Sequence, residues 1–250
     1  MPERGIGVEL DQILVMDGDL VIRWPKTGGG IFMLQGIYTA LTNCPNKEHI
    51  AFDHVKKWTK NVDIFSYDYV VVPINQSVHW YAAIICNLPS LQEKMDPGLK
   101  DSKPYDSPVI ITFDSLNRDC LSTVRNLRQY LAEEAKSRKA IEINTSLIAG
   151  LKAQPIPLQT NNSDCGLYLL AYIEKFAQDP HWFISRLLQK EMVQTDWPSL
   201  TSSDLRFRMS RFLADLRDEQ NQLSHGQNLG EVMADRRPVS FLLGETNQTI

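Results

Sequence analysis

Residues 157–176, PLQTNNSDCGLYLLAYIEKF, change from polar to apolar at a single cysteine, Cys165. Polar residues occupy positions 161–164, Gly166 follows the cysteine, and residues 167–173 are then nearly all apolar. A helix that is apolar on every side is one enclosed by protein. The stretch therefore predicts a buried helix that begins at Cys165, with the thiol at the boundary between a polar loop and the interior.

A cysteine at the start of a helix has two interpretations. The thiolate is the reactive form of cysteine, and the free N–H groups and dipole at a helix N-terminus favour it. Gly166 lacks a side chain, so a substrate backbone could approach closely at this point. Buried structural cysteines are common, however, and Ser163 or Asp164 could simply cap the helix. On this stretch alone the structural interpretation is the better supported one, and catalysis would require further residues.

The composition of the chain excludes several classes of protein. The chain has 250 residues, is 43% hydrophobic and carries a formal net charge of -4, values that suit one globular domain or two small ones. This balance is not that of a nucleic-acid-binding surface, and no apolar run reaches the roughly 20 residues of a membrane span. The first residues, MPERGIGVELDQ, lack the apolar core of a signal peptide. We therefore expect a cytosolic or nuclear protein that binds neither nucleic acid nor membrane.

The cysteines predict neither a metal site nor disulfides. The four of them are scattered along the chain without a C-x-x-C pair, at Cys44, Cys86, Cys120 and Cys165. A zinc cluster is therefore not expected, and we predict no metal and no cofactor. In a reducing compartment all four should be free thiols, and three of them are expected to be small buried apolar residues.

The order of the predicted elements indicates an α+β domain. Apolar, β-branched runs predict three strands: YVVVPIN from Tyr69, stopped at Pro73, HWYAAIIC from His79, and VIITFD at 109–114. Periodic apolar residues predict helices over 31–42, 47–58, 122–139 and 203–220 in addition to the one from Cys165. The last should present one apolar stripe made of Leu205, Met209, Phe212, Leu213 and Leu216. Strands and helices do not alternate regularly, so a parallel βαβ fold is not predicted.

A nucleophilic cysteine needs a base, and the base needs a group that orients it. Of the five histidines, His79 is the one that opens a predicted strand, which could hold an imidazole rigidly. Asp114 ends another strand and could accept a hydrogen bond from the imidazole Nδ1–H. Gln159 follows the extended stretch IPL, and its amide could donate to a developing oxyanion together with the backbone N–H of Cys165. Taken singly, each has a simpler explanation as a surface, turn or loop residue, and their combination is what indicates catalysis.

The sequence around these residues resembles a known family. The stretches KKWTKNVDIFSYDYVVVPINQSVHWYAAIIC, IITFDSL and IPLQTNNSDCGLYLLAYIEKF resemble the SUMO-specific cysteine proteases of the SENP/Ulp type, over about residues 52–222. Within that family the stretches WTKNVDIFS and QTNNSDCGLYLLAY are most similar to the branch that trims SUMO chains. The resemblance implies a papain-like α+β fold with a central mixed sheet flanked by helices.

The resemblance also implies a role for each candidate residue. His79 would be the general base, Asp114 would orient it, Cys165 would be the nucleophile, and Gln159 would help to form the oxyanion hole. Trp80 is similar to the family tryptophan that lies over the Gly-Gly tail of the substrate. The implied reaction is cleavage after the C-terminal Gly-Gly of SUMO, in a precursor or a conjugate.

One departure from the family concerns the N-terminal part of the chain. The family normally carries a W/F-L-N-D motif before its first long helix, and this motif helps to grip the ubiquitin-like partner. Here the corresponding residues read DLVIRWPKTGGGIFMLQGIYTAL, and Trp24 lacks that frame. We therefore predict a divergent N-terminal segment at 1–36, a catalytic domain at 37–223 and a disordered tail at 224–250. The resemblance further favours a monomer located in the nucleus.

Other functions remain open on the sequence. The same machinery could serve a protease for NEDD8 or ubiquitin, which a panel of modifier probes would distinguish. A catalytically impaired SUMO-binding domain would keep the fold without turnover. An acyltransferase that uses the same triad would depend on an acyl-CoA.

Overall fold

The computed structural model describes residues 12–16, 19–23, 30–45, 49–93 and 107–224. Within them, seven strands form one sheet whose spatial order is the chain order. The strands are β1 (Gln12–Met16), β2 (Asp19–Arg23), β3 (Gly30–Met33), β4 (Tyr69–Gln76), β5 (His79–Cys86), β6 (Val109–Phe113) and β7 (Ala149–Lys152). The sheet is mixed, because β3–β4 and β6–β7 are parallel pairs and the other neighbours are antiparallel.

Helices lie on both faces of this sheet. They are α1 (Ile37–Thr42), α2 (Phe52–Val55), α3 (Pro89–Glu93), α4 (Leu121–Lys139), α5 (Cys165–Gln178), α6 (Pro180–Leu188) and α7 (Ser202–Ser224). Three short 3₁₀ turns complete the described elements, at Ile64–Ser66, Thr145–Leu147 and Gln194–Asp196.

The central strands are buried on both faces. Val70 and Val72 of β4 join the cluster that contains α1 and α4, whereas Val71 between them joins the cluster that contains α5 and α6. Successive side chains of a strand point to opposite faces, so a continuous apolar run such as YVVV fits a strand covered on both sides. The predicted central mixed sheet flanked by helices is thus confirmed.

Two predictions for the elements before β5 were wrong. The apolar residues 31–42 do not form one helix, because β3 ends at Met33 and α1 begins at Ile37. β4 does not stop at Pro73 but continues to Gln76. Proline lacks a ladder donor and is tolerated on strand edges. β3 pairs only with Tyr69, Val70 and Val71, so at Pro73 the only described neighbour of β4 is β5.

Two predicted helices also differ in extent or exposure. Of the helix predicted over 47–58, the described residues 49–58 keep only the four residues of α2. Along the described part of the predicted α7 stripe the burial decreases: Leu205 is fully buried, Met209 and Phe212 are half-buried, and Leu213 is 56% exposed. Of the tail predicted at 224–250, Ser224 is the last residue of α7, and the rest lies outside the described residues.

Candidate active site

His79 and Asp114 meet at one end of the sheet. β5 begins with His79, β6 ends immediately before Asp114, and the two strands are antiparallel, so these two ends are neighbours. His79 Nε2 lies 2.8 Å from Asp114 Oδ1, and both residues are buried. A carboxylate can only accept, so Nε2 carries the proton and donates. The predicted contact was through Nδ1, and this detail was wrong.

The carboxylate of Asp114 has donors on both oxygens. Besides the imidazole, Oδ1 accepts the backbone N–H of Leu116 at 2.8 Å, and Oδ2 accepts Nε of Arg118 at 2.9 Å. Burial acts to raise the pKa of Asp114, but the hydrogen bonds from Arg118, Leu116 and His79 outweigh it, so the pKa lies below its ordinary value. Asp114 is therefore ionised at neutral pH beside the imidazole.

Gln159 is hydrogen-bonded to Ser115, the residue after Asp114. Its backbone N–H donates to the carbonyl of Ser115 at 3.1 Å, and Ser115 Oγ donates to Gln159 Oε1 at 2.5 Å. The amide Nε2 donates in turn to the carbonyl of Asn161 at 2.5 Å. Gln159 is 9% exposed, so these bonds hold its amide in a largely buried position.

Cys165 is the first residue of α5, as predicted, and it is 6% exposed. The N-cap is Asp164, but its side chain makes no capping hydrogen bond. The carboxylate instead accepts from Asn161 Nδ2 at 2.6 Å and pairs with Arg206 of α7. Burial acts to raise the pKa of Asp164, and the bonds from Asn161, Ser202 and Arg206 lower it on balance. The start of the helix is thereby anchored to α7.

The four cysteines differ in their surroundings. All are free thiols, and Cys44 is half-buried. Burial raises the pKa of Cys86 well above its usual range, and burial together with Asp114 raises the pKa of Cys120 to about 11. Both are therefore unreactive structural thiols at neutral pH. Cys165 is the one that begins a helix.

The structure brings three of the four predicted catalytic residues together. His79 is hydrogen-bonded to Asp114, and Gln159 is hydrogen-bonded to Ser115, the next residue in the chain after Asp114. Cys165 is connected to these residues through the loop before it. Asn161 accepts a hydrogen bond from Gln159 and donates one to Asp164, the residue before Cys165. Among the described contacts, Cys165 Sγ makes no hydrogen bond to His79. Catalytic hydrogen bonds are often long before a substrate binds.

Trp80 and Gly166, the two residues predicted to contact the substrate, are not fully buried. Trp80 is 39% exposed although its neighbour His79 is buried, as alternation along β5 requires. A Cβ built on Gly166 would meet no atom within 4 Å. The packing of the described residues therefore gives no reason for glycine at this position.

Sequence reasoning missed several members of this network. Ser115 and Arg118 belong to the turn DSLNR after β6, and Asn161 lies in the polar loop before Cys165. Their types and positions are ordinary for a turn, so only their partners identify them. Arg206 lies in the predicted final helix but is not part of its apolar stripe, and nothing in the local pattern indicates its contact with Asp164, 42 positions away.

Cavities, clusters of metal ligands and long apolar helices are other features that can indicate a function. A cavity of about 710 Å³ lies beside the segment 154–158, and none of the four predicted catalytic residues lines it. Across the described ranges, no group of three or more His, Cys, Asp or Glu residues could hold a metal ion. None of the helices described there combines the length and apolar character needed to cross a membrane.

Comparisons with known proteins show the family of the chain. Residues 31–204 match the model of the family described as "Ulp1 protease family, C-terminal catalytic domain". Ubiquitin-like-specific protease 2 of Schizosaccharomyces pombe is 37% identical over 161 residues, covering 57% of this chain and 25% of that protein. Sentrin-specific protease 7 of Mus musculus is 31% identical over 173 residues, covering 50% of this chain and 17% of that protein. The chain thus spans a quarter or less of these curated relatives.

A solved structure supports the fold. The crystal structure of a de-sumoylating protease superposes with a TM-score of 0.56 at 28% sequence identity, covering 68% of this chain and 60% of that one. The resemblance inferred from the sequence is therefore confirmed at the level of fold and family.

Proposed function

The chain belongs to the Ulp1 protease family, and we propose that it is a thiol protease that cleaves after the C-terminal Gly-Gly of SUMO. The observation that carries this proposal is the buried hydrogen bond between His79 Nε2 and Asp114 Oδ1, in the same network as the helix start at Cys165. An imidazole held by an ionised carboxylate is the base that a nucleophilic thiol requires.

Each catalytic step can be assigned to a residue. Cys165 Sγ attacks the carbonyl carbon of the last glycine, and Nδ1 of His79 takes the thiol proton, since Nε2 is engaged by Asp114. The C–N bond then breaks, and Nδ1 returns the proton to the leaving amine. Water next attacks the thioester and loses a proton to His79. The C–S bond breaks, His79 returns its proton to the sulfur and restores the thiol, and the released acid ionises to the SUMO carboxylate.

The remaining site residues serve the oxyanion and the substrate tail. The second N–H of Gln159 Nε2 and the backbone N–H of Cys165 donate to the negative oxygen that forms during attack. Trp80 covers the Gly-Gly tail, and the open space at Gly166 admits its backbone. A channel of this kind accepts glycine and rejects side chains.

Several finer assignments belong to the same proposal. The catalytic domain spans 37–223 and follows a divergent segment at 1–36. The protein acts as a monomer in the nucleus, without cofactor and without binding nucleic acid or membrane. It trims SUMO chains, because the sequences around Cys165 and before β4 resemble the chain-trimming branch of the family.

The test is a panel of SUMO, NEDD8 and ubiquitin proteins that each carry a C-terminal electrophile. We expect the SUMO probe to form a covalent adduct that Cys165→Ala abolishes and that the matched variant Cys44→Ser retains. An adduct with NEDD8 or ubiquitin alone would assign another modifier. Reaction of Cys165 with a small thiol reagent but with no modifier probe would leave an active thiol without SUMO recognition and would overturn the proposal.

A further inference from the structure

The side chain of Ser115 is a buried hydroxyl that the proposed reaction does not use. Ser115 is 1% exposed, and it follows Asp114 directly. Its carbonyl accepts the backbone N–H of Gln159, while its Oγ donates to Oε1 of the same residue. The two residues are thus joined by a backbone bond and a side-chain bond, although 44 positions separate them.

These contacts determine which way the amide of Gln159 faces. An amide can in principle turn by 180°, which exchanges its oxygen and nitrogen. The carbonyl of Asn161 is an acceptor only, so the NH₂ group must face it. Oε1 then faces Ser115, whose hydroxyl is the donor that this oxygen needs. One Nε2 hydrogen is used by Asn161, and the other is left for a ligand.

We propose that Ser115 is a positioning residue of the reaction, which acts through Gln159 and not on the substrate. The hydroxyl fixes the amide so that the second Nε2–H faces the developing oxyanion. The consecutive residues Asp114 and Ser115 would then orient both the general base and the oxyanion donor. This inference rests on the proposed function, because it assumes that Gln159 is the oxyanion donor.

The kinetic test is a double-mutant cycle on cleavage of a SUMO fusion. Ser115→Ala should lower kcat about tenfold with little change in KM, since the amide loses one of its two anchors but is not removed. Gln159→Ala should lower kcat about 10²–10³-fold, as loss of an oxyanion donor does. The double variant should match Gln159→Ala alone, because Ser115 has no other route to the reaction. Ser115→Thr keeps the hydroxyl and should restore most of kcat.

Two kinetic results would overturn the inference. One is a Ser115→Ala variant whose kcat equals that of Ser146→Ala, a matched loss of an exposed hydroxyl remote from the site. The other is an undiminished effect of Ser115→Ala in the Gln159→Ala background, which would mean that the hydroxyl acts through Asp114 or through folding. Urea unfolding of each variant separates loss of turnover from loss of stability.

A spectroscopic arm tests the contact without any activity. The side-chain NH₂ signals of Gln159 in a ¹H–¹⁵N spectrum are identified by their loss in Gln159→Ala. They should shift in Ser115→Ala and stay in place in Ser146→Ala, and unmoved signals in Ser115→Ala would refute the positioning contact. If the wild-type chain cleaved no SUMO fusion while these signals behaved as expected, the proposed function would fail and the anchoring would stand.

Discussion

Replacing Arg118 with methionine should destabilise the protein at neutral pH and slow turnover. The guanidinium Nε donates at 2.9 Å to Oδ2 of Asp114, a carboxylate that is 1% exposed. Methionine keeps an apolar stem of similar length but removes the donor and its charge. The variant therefore leaves one oxygen of a buried, ionised carboxylate without its charged partner.

The magnitude follows from the exposure of the two partners. A hydrogen bond to a charged group contributes about 1.5–3 kcal/mol to stability. The side chain of Arg118 is 42% exposed, so water and salt weaken the attraction, and we expect about 1–1.5 kcal/mol. If the transition state feels the same loss, kcat/KM falls about 5- to 12-fold.

The stabilisation from the contact between Arg118 and Asp114 should depend on pH, because Asp114 must be ionised to accept it. The pKa of Asp114 in the folded protein lies below its ordinary value of 3.8, so the stabilisation is fully present above that value. It is lost as the pH falls through the folded-state pKa. The difference in unfolding free energy between wild type and Arg118→Met should therefore be largest at neutral pH and shrink in acid.

Urea unfolding at a series of pH values measures this difference, and cleavage of a SUMO fusion measures turnover. Arg211→Met is the matched control, because Arg211 lies exposed on α7 and has no ion pair in the described part of the chain. If Arg118→Met had the same free energy of unfolding and the same kcat/KM as this control at every pH, the contact with Asp114 would contribute nothing to stability or turnover.

Three further predictions concern packing and chemistry. Gly150→Ala should lower the free energy of unfolding in urea by about 1–3 kcal/mol, because its Cβ would lie 2.6 Å from Val124 Cγ1. Gly166→Ala should leave stability intact, because no atom lies within 4 Å of its Cβ, but it should raise KM for a SUMO fusion. A Gly166→Ala variant that loses stability and keeps its KM would contradict the assignment of the channel. Phe176→Ala should cost about 3–5 kcal/mol, because this ring is fully buried among aromatic neighbours, and a loss under 1 kcal/mol would be inconsistent with that packing. Asp114→Asn should lower kcat by up to about 10⁴-fold while the folded state is retained, and unchanged turnover would remove the carboxylate from the triad.

The sequence alone was sufficient for the features that depend on local pattern. The runs HWYAAIIC and VIITF predict β5 and β6, and the change from polar to apolar at Cys165 predicts the start of α5. A strand or helix of this kind shows its period within ten residues or so, and the candidate residues His79 and Asp114 follow from standing at strand ends.

Predictions failed where the deciding contact lies elsewhere in the chain. Residues 31–33 are apolar and fit a buried helix as well as a strand. They form a strand because they pair with Tyr69–Val71 of β4. The extension of β4 through Pro73 depends on β3 ending its pairing before that residue. Neither fact is visible in the local sequence, because tertiary pairing overrides propensity.

The orienting contacts of the site were decided by tertiary structure alone. The choice of Nε2 rather than Nδ1 of His79 depends on where the end of β6 lies relative to the ring. The bond from Ser115 to Gln159 and the pair of Arg206 with Asp164 join residues 44 and 42 positions apart. A side chain carries the same donors and acceptors in any turn or helix, and only the packing of β6, α5 and α7 determines which partner each one meets.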